Sequence, residues 1–291
     1  MFERRSYLLN LTNRIPTMRT MQELVDVLAR YRYNEFRPFA EKDFPEDVLD
    51  FGRLGAYCEM QGLEMVKTTR ADFEDLFVRA EYVIVSTEAE RSLAGRVEDM
   101  REEMIRVEAQ GRARKAKGFL VTDFGDDCMW QPLAVSLPGI VMGGNFASGG
   151  AKSSMMDLEK ELDRVMDAPL GGLLLRLGTL YLRGGARREH ASEYFNILSH
   201  DVGYSRHPGV TQFVLDDVSG VARGVRIAAE RWLDRSDWAK EIVYAANLLD
   251  CACHRRNEAM LRELRDEHGH VWRARFAPEG RAESMAKIPR F

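Results

Sequence analysis

The chain has 291 residues, 45% of them apolar and 30% charged, with a net charge of −4. That is enough for an ample core in one large domain or two ordinary ones, and the interspersed charges leave no nucleic-acid footprint. No stretch approaches a membrane span, MFERRSYLLNLTNR lacks the apolar run of a signal peptide, and Cys58, Cys128, Cys251 and Cys253 show no framework spacing, so a cytoplasmic protein with reduced thiols is expected.

Residues 7–11 (YLLNL) read as a first strand. Pro16-Thr17 then opens a helix, with Thr20 to Glu23 as a capping box and Met21, Leu24, Val25, Leu28 and Tyr31 on one face. NEFRPFA, 34–40, is a second strand ending near Glu41. A helix over 45–61 stops at Gly62, and LEMVKTT, 63–69, is a third strand. This β-α-β-α-β order predicts parallel strands with right-handed crossovers. ADFEDLFVRA, 71–80, is a short amphipathic helix, YVIVST, 82–87, a fourth strand, and a helix through Val107 leads to a fifth at 118–124. From 155 onward the pattern is helical, with candidates at 155–166, 170–182, 190–200, 211–233 and 237–267.

The stretch Gly118 to Gly139, GFLVTDFGDDCMWQPLAVSLPG, carries the chemistry. An apolar strand ends in Asp123, Asp126 and Asp127, followed by Trp130 and by proline and glycine turn residues. Carboxylates accept hydrogen bonds from hydroxyls and an aromatic ring packs on the apolar face of a sugar, so this end suits a polyhydroxylated ligand; a capped turn beside a core strand is the alternative.

The same stretch resembles the last-strand segment of a bacterial branch of glycoside hydrolase family 20, the β-N-acetylhexosaminidases. It matches at Thr122-Asp123, Gly125-Asp126, Trp130-Gln131-Pro132-Leu133, Val135-Ser136 and Pro138-Gly139, and departs at Phe124, where the family has Trp, and at Asp127-Cys128-Met129. Arg5-Ser6-Tyr7-Leu8-Leu9-Asn10 and Arg14-Ile15-Pro16-Thr17-Met18 are similar to its first-strand region, Leu54 to Glu64 to its second-helix region, and SLAGRVEDM, 92–100, to the segment after its seventh strand. GIVMGGNFASGG, 139–150, departs from the family's pattern at Ser148, where Trp is expected, and HRRNEAMLRELRDEHGHVWRARF is similar to its final helix.

The resemblance implies a (β/α) barrel and a sugar-binding Arg5. Only residues 70–81 lie between the third strand and what resembles the seventh, so the segment that carries the family's catalytic Asp-Glu pair is missing. In the family that Glu is the general acid, and the Asp orients the substrate's own acetamido nucleophile. The single Asp-Glu dipeptide of the chain, Asp266-Glu267, falls on a late amphipathic helix and reads as a solvated face.

Other constellations carry less. Cys251-Ala252-Cys253-His254 on a helix splays its two sulfurs by about 200°, which favours a buried thiol pair over a metal site. Gly143-Gly144 and Gly149-Gly150 suggest a phosphate loop, but Ala151-Lys152-Ser153 does not complete one. His190, His200 and His207 lack ligand spacing, and Met155-Met156 reads as core filler.

The expected fold is therefore α/β: a shortened or open TIM-type barrel over 1–150 with a helical region over 151–291 packed on it. The expected function is that of a hexosaminidase-like protein with impaired catalysis, binding a glycan or other polar ligand or acting as a regulatory partner, with Arg5, Glu41, Asp123, Phe124, Asp126 and Trp130 as binding residues. An active glycosidase with its acid at Asp123, Asp126, Glu41 or Glu88 is one alternative, and a ligand-free scaffold the other. No metal, cofactor, nucleic acid or membrane is expected. A sheet of five strands leaves exposed edges, which predicts a homodimer with residues 70–91 at or near its interface.

Overall fold

The computed structural model describes residues 1–41, 43–126, 128–149, 155–200, 205–254 and 257–289. Asp127, Gly150, Ala151-Lys152-Ser153 and the side chains of Met155 and Met156, all read above, lie outside the described residues. The fold is mixed α/β around one parallel six-stranded sheet. Its strands are β1 (Arg4–Asn10), β2 (Glu35–Ala40), β3 (Glu64–Met65), β4 (Thr68–Thr69), β5 (Tyr82–Ser86) and β6 (Gly118–Asp123). Their order is β3-β2-β1-β6-β5, with β4 also on β2.

All five expected strands form. The first starts earlier, at Arg4, and the third breaks in two. The break falls opposite Pro38, in the middle of β2, which has no N–H to donate: β3 pairs with Glu35 and Phe36, and β4 with Phe39 and Ala40. β1 and the last strand β6 lie side by side, with Arg5 opposite Phe119 and Leu9 opposite Asp123.

Alternation along each strand separates two faces. Tyr7, Leu9, Phe36, Val83, Val85, Phe119 and Val121 point into the main core, which runs on through the C-terminal helices to Ile288. Leu8, Phe39, Tyr82 and Leu120 point the other way and pack with Phe73 and Leu76 of α3 (Arg70–Arg79). α3 follows β4 directly, and its start is set by a reciprocal capping box between Thr69 and Asp72. The second face also holds a buried polar group. The Glu35 carboxylate accepts from Tyr82 Oη and Arg37 Nε, both at 2.9 Å, and from Ser6.

Other helices begin where a side chain can satisfy their open N–H groups. α1 (Met18–Arg30) is capped by Thr17, which accepts from Thr20 N at 3.2 Å; the cap is therefore Thr17, and Thr20, expected to open the box, lies inside the helix. α2 (Phe51–Met60) is capped by Asp50 and so starts six residues later than expected. α4 (Val97–Arg114) leads to β6.

The stretch after Trp130, read as loop and turn, is instead a 3-10 turn (Leu133–Ser136) running into α5 (Leu137–Ala147), which is almost wholly buried. Pro138 sits in its first turn, where a missing N–H costs nothing. Its glycines make no phosphate loop. A Cβ on Gly143 would come within 2.5 Å of Val121 Cγ2, and one on Gly144 within 2.4 Å of Tyr31 O. They are the close-approach points that seat α5 on the sheet and on α1.

Beyond lie α6 (Met155–Met166), α7 (Gly171–Leu177), a 3-10 segment (Leu180–Gly185), α8 (Glu193–Ser199) and α9 (Gln212–Glu230). The expected 237–267 helix is two, α10 (Asp237–Cys253), which ends at its C-cap His254, and α11 (Glu258–Arg275), which Asn257 caps by accepting from Met260 N at 3.1 Å. α12 (Arg281–Lys287) ends the series. Among the described residues no single helix is long and apolar enough to cross a membrane.

Candidate functional site

The site expected at the carboxyl ends of the strands is built from β6 and the loop after it. Asp123 shares its face with Phe119 and Val121, so its side chain points toward the helical layer. There the buried Tyr7 hydroxyl donates to Asp123 Oδ2 at 2.9 Å, and burial together with the Asp123 charge raises the Tyr7 pKa well above that of a free phenol. Asn10 Nδ2, from the end of β1, donates to Phe124 O at 3.1 Å and ties the loop to the sheet.

Asp126 is 8% exposed and caps the tight turn that follows, its Oδ1 accepting from Trp130 N at 3.2 Å. Burial raises its pKa, against the lowering effect of the Arg14 guanidinium and of the loop N–H groups. Arg14 is held over the Phe276 ring, 4.6 Å from its centroid, and donates to Gln131 O. The recess that Asp123, Asp126, Asn10 and Arg14 share measures about 20 Å³. That is room for roughly one water.

The other expected site residues lie elsewhere. Trp130 is 1% exposed, donates from Nε1 to Ser284 O at 3.2 Å and packs on Phe195, so it is core and not the open wall of a sugar site. Arg5 stands at the amino end of β1, opposite Phe119, and Asp123 is four residues further along β6, roughly 13 Å away. Its guanidinium donates to Arg32 O at 2.5 Å and Phe2 O at 2.9 Å and fastens the chain there. The shared cavity expected for Arg5, Asp123 and Asp126 is thus not formed: in parallel strands, a residue near the start of one and a residue at the end of its neighbour lie at opposite sheet ends. Phe124 joins Phe39 and Phe73 in a ring cluster, each 5.3 Å away between centroids. Glu41 is exposed and paired with Arg70 at 3.0 Å.

Beyond β5 the same end of the sheet opens. Glu88 follows the strand, is buried, and pairs with the buried Arg96. It forms the inner end of a cleft of about 620 Å³ between α4 and residues 187–190. Two residues after Glu88 stands the partly buried Glu90, which is not among the expected site residues. Burial first, and then the charges of Glu88 and Asp123, push its pKa up to about 7. The signal was there in Glu88-Ala89-Glu90 at a strand end.

The C-terminal helices pin the β6 loop through a second buried network. Tyr244 Oη and His268 Nδ1 are 2.8 Å apart, as are His268 Nε2 and Ser284 Oγ, and Ser284 donates to Cys128 O at 2.7 Å. Burial pulls the His268 pKa down to about 4. Of the Asp-Glu dipeptide, Asp266 is solvated, but Glu267 turns inward, accepts from Asn247 at 2.8 Å, and is pushed up to about 7 by burial. The Cys251 and Cys253 thiols are buried and raised to about 12. Among the described residues no group of three His, Cys, Asp or Glu side chains converges on a metal position. No protein-family model matches the chain, and no curated protein matches it.

Proposed function

We propose that the chain is a divergent relative of the glycoside hydrolase family 20 β-N-acetylhexosaminidases, built on a shortened, open form of their barrel, and that it binds a polar ligand without turning over hexosaminides. The observation that carries this reading is the engagement of the last-strand carboxylates. Asp123 is bonded to Tyr7 and faces the helices, Asp126 caps its own loop, and the space before them holds about one water. The strand order supports it, since β5-β6-β1-β2-β3 is the neighbour order left when the middle strands of a barrel are removed. Without a general acid the leaving alkoxide is unassisted, a loss of about 10²–10⁴-fold in rate. The test is release of chromophore from N-acetylglucosaminide and N-acetylgalactosaminide substrates by the purified full chain. No release above buffer is expected, and enzyme-dependent turnover rejects the reading.

Glu90 favours a second reading. A partly buried carboxyl whose pKa is pushed up to about 7, by burial first and then by the charges of Glu88 and Asp123, has the poise of a general acid. In that case the acid has moved to Glu90 and not to Glu41, which is solvated, or to Glu88, which is paired with Arg96. Turnover abolished by Glu90→Gln would select this reading over the first.

The proposal includes a homodimer. α3 leaves Phe77 58% and Val78 82% exposed, within the 70–91 segment, and pairing of two copies about a two-fold axis would cover them. Light scattering at micromolar concentration should give twice the chain mass, and Val78→Asp should halve it. A monomeric mass for the unmodified chain rejects the dimer.

A further inference from the structure

We infer that the second copy in the homodimer joins edge to edge through β5, antiparallel, with Ile84 on the two-fold axis, so that the two sheets become one. The inference rests on the dimer proposed above and adds the surface, the direction and the register. β5 is a terminal strand: among the described residues it pairs with β6 alone. Gly118 N donates to Glu81 O at 3.0 Å, and Thr87 N to Thr122 O at 2.9 Å. Successive residues of a strand turn their N–H and C=O groups to alternate sides. Val83 and Val85 therefore bond to β6, and Tyr82, Ile84 and Ser86 present their backbone groups outward. Ile84 and Ser86 stay partly exposed.

The two edges of the sheet differ in how they are guarded. The far edge is broken into β3 and β4, of two residues each, and carries the exposed charges of Glu64 and Lys67. Short strands and edge charges are the usual defence against a further strand. β5 has neither: Tyr82-Val83-Ile84-Val85-Ser86 is continuous and holds no charge and no proline. An edge of this kind is normally covered.

Two features choose a second copy as the cover. The outward residues are centred on Ile84, so in an antiparallel pair Ile84 faces the partner's Ile84 and Tyr82 faces the partner's Ser86. Each such pair exchanges both of its N–H···O bonds, and the strand satisfies its whole edge with a copy of itself. α3 supplies the apolar part. It runs from β4 on one side of the sheet to β5 on the other, and only Ala80 and Glu81 separate it from Tyr82. Leu76 packs in the same cluster as Ile84, while Phe77 and Val78 beside it are 58% and 82% exposed. An axis through Ile84, normal to the sheet, puts both copies' exposed residues on one side of the joined sheet, where they cover each other.

The test is amide hydrogen exchange of the full chain at a concentration where light scattering gives the dimer mass. The Ile84 and Ser86 amides should exchange at least about 100-fold more slowly than in Val78→Asp. Ile84→Lys, which adds the edge charge that β5 lacks, should weaken the dimer at least about tenfold. Register is read by oxidation. Ile84→Cys places two thiols on the axis, with Cα atoms about 5.5 Å apart and within disulfide reach, whereas Ser86→Cys places them about 14 Å apart. The first variant should cross-link beyond the level of the parent, and the second should not. A dimer with fast exchange at Ile84 and Ser86, an undiminished dimer in Ile84→Lys, or equal cross-linking of the two cysteine variants would each overturn the inference and leave the dimer standing. Slow exchange that persists in a monomeric Val78→Asp would show the edge covered from within the chain and overturn it as well. A monomeric mass for the unmodified chain rejects the dimer itself, and this interface with it.

Discussion

The recess under the β6 loop and the cleft beyond β5 sit at the same end of one sheet and are both lined by carboxylates and arginine, yet they differ in what those groups do. In the recess, Asp123 and Asp126 are buried and bonded to Tyr7 and to the loop backbone, and the volume left is about 20 Å³. In the cleft, Glu102 and Arg187 are about half exposed and line about 620 Å³. The contrast teaches that an acidic strand end is not by itself a site. Where a loop folds back and is clamped by later helices, its carboxylates become parts of the fold. Where the chain turns away, as after Glu88, a cleft stays open, and Glu102 on its α4 wall remains about half exposed although Glu88 itself is buried against Arg96.

The largest expected effects are on the clamped side. Arg275 is 2% exposed between Glu241 and Glu23 and joins the last long helix to the first, while Trp130 is buried beneath the loop. Arg275→Ala strands a buried carboxylate, and Trp130→Ala opens a cavity, so each should cost about 3–5 kcal/mol in denaturant unfolding. On the cleft side, Glu103→Gln should stay within about 0.5 kcal/mol of the parent. Similar costs on the two sides would break the comparison.

Next comes Gly143→Ala. A methyl group there meets Val121 at 2.5 Å and Tyr33 Oη at 2.8 Å, so the helix must lift from the sheet. A loss of about 1–3 kcal/mol is expected, while Gly220→Ala, on an open part of α9, should be neutral or slightly stabilising.

The strands and the parallel order were legible in the sequence because short apolar runs alternated with amphipathic helices. The orientation of the site was harder to see. Phe119, Val121 and Asp123 alternate with Leu120 and Thr122, but which set faces the helices depends on what packs there, and that is decided by Tyr7, more than a hundred residues away. Arg5 was placed by motif and not by its position at the start of a strand, which puts it at the far end of the sheet from Asp123. α5 was obscured by Pro138 and its glycines. Those residues usually punctuate loops, and here they serve a helix start and close packing. The apolar register of 237–267 runs straight through Asn257, which hid the break between α10 and α11.

A smaller effect separates the sides by pH. Glu90, partly buried just after β5, has its pKa raised from 4.5 to about 7. A raised carboxyl holds in the folded state a proton that the unfolded chain has lost, so its contribution is present below pH 4.5 and is lost as pH rises through 7. Glu267 acts in the same direction over the same window. His268, lowered from 6.5 to about 4, acts oppositely: stability rises from pH 4 to 6.5 as the unfolded chain gives up the proton. Glu90→Gln should therefore flatten the fall in stability between pH 4.5 and 7, by at most about 1.4 kcal/mol per pH unit. An unchanged pH profile would place Glu90 in ordinary solvent.

The central claim is that Asp123 now serves the fold, and a double-mutant cycle with Tyr7 tests it most directly. Tyr7→Phe, Asp123→Asn and the double variant would be unfolded in denaturant, and each titrated with the trisaccharide N,N′,N″-triacetylchitotriose. The account predicts a coupling energy of about 1–3 kcal/mol between the two residues and trisaccharide affinities unchanged in both single variants. A coupling near zero, with affinity lost in Asp123→Asn, would contradict it and return Asp123 to the ligand.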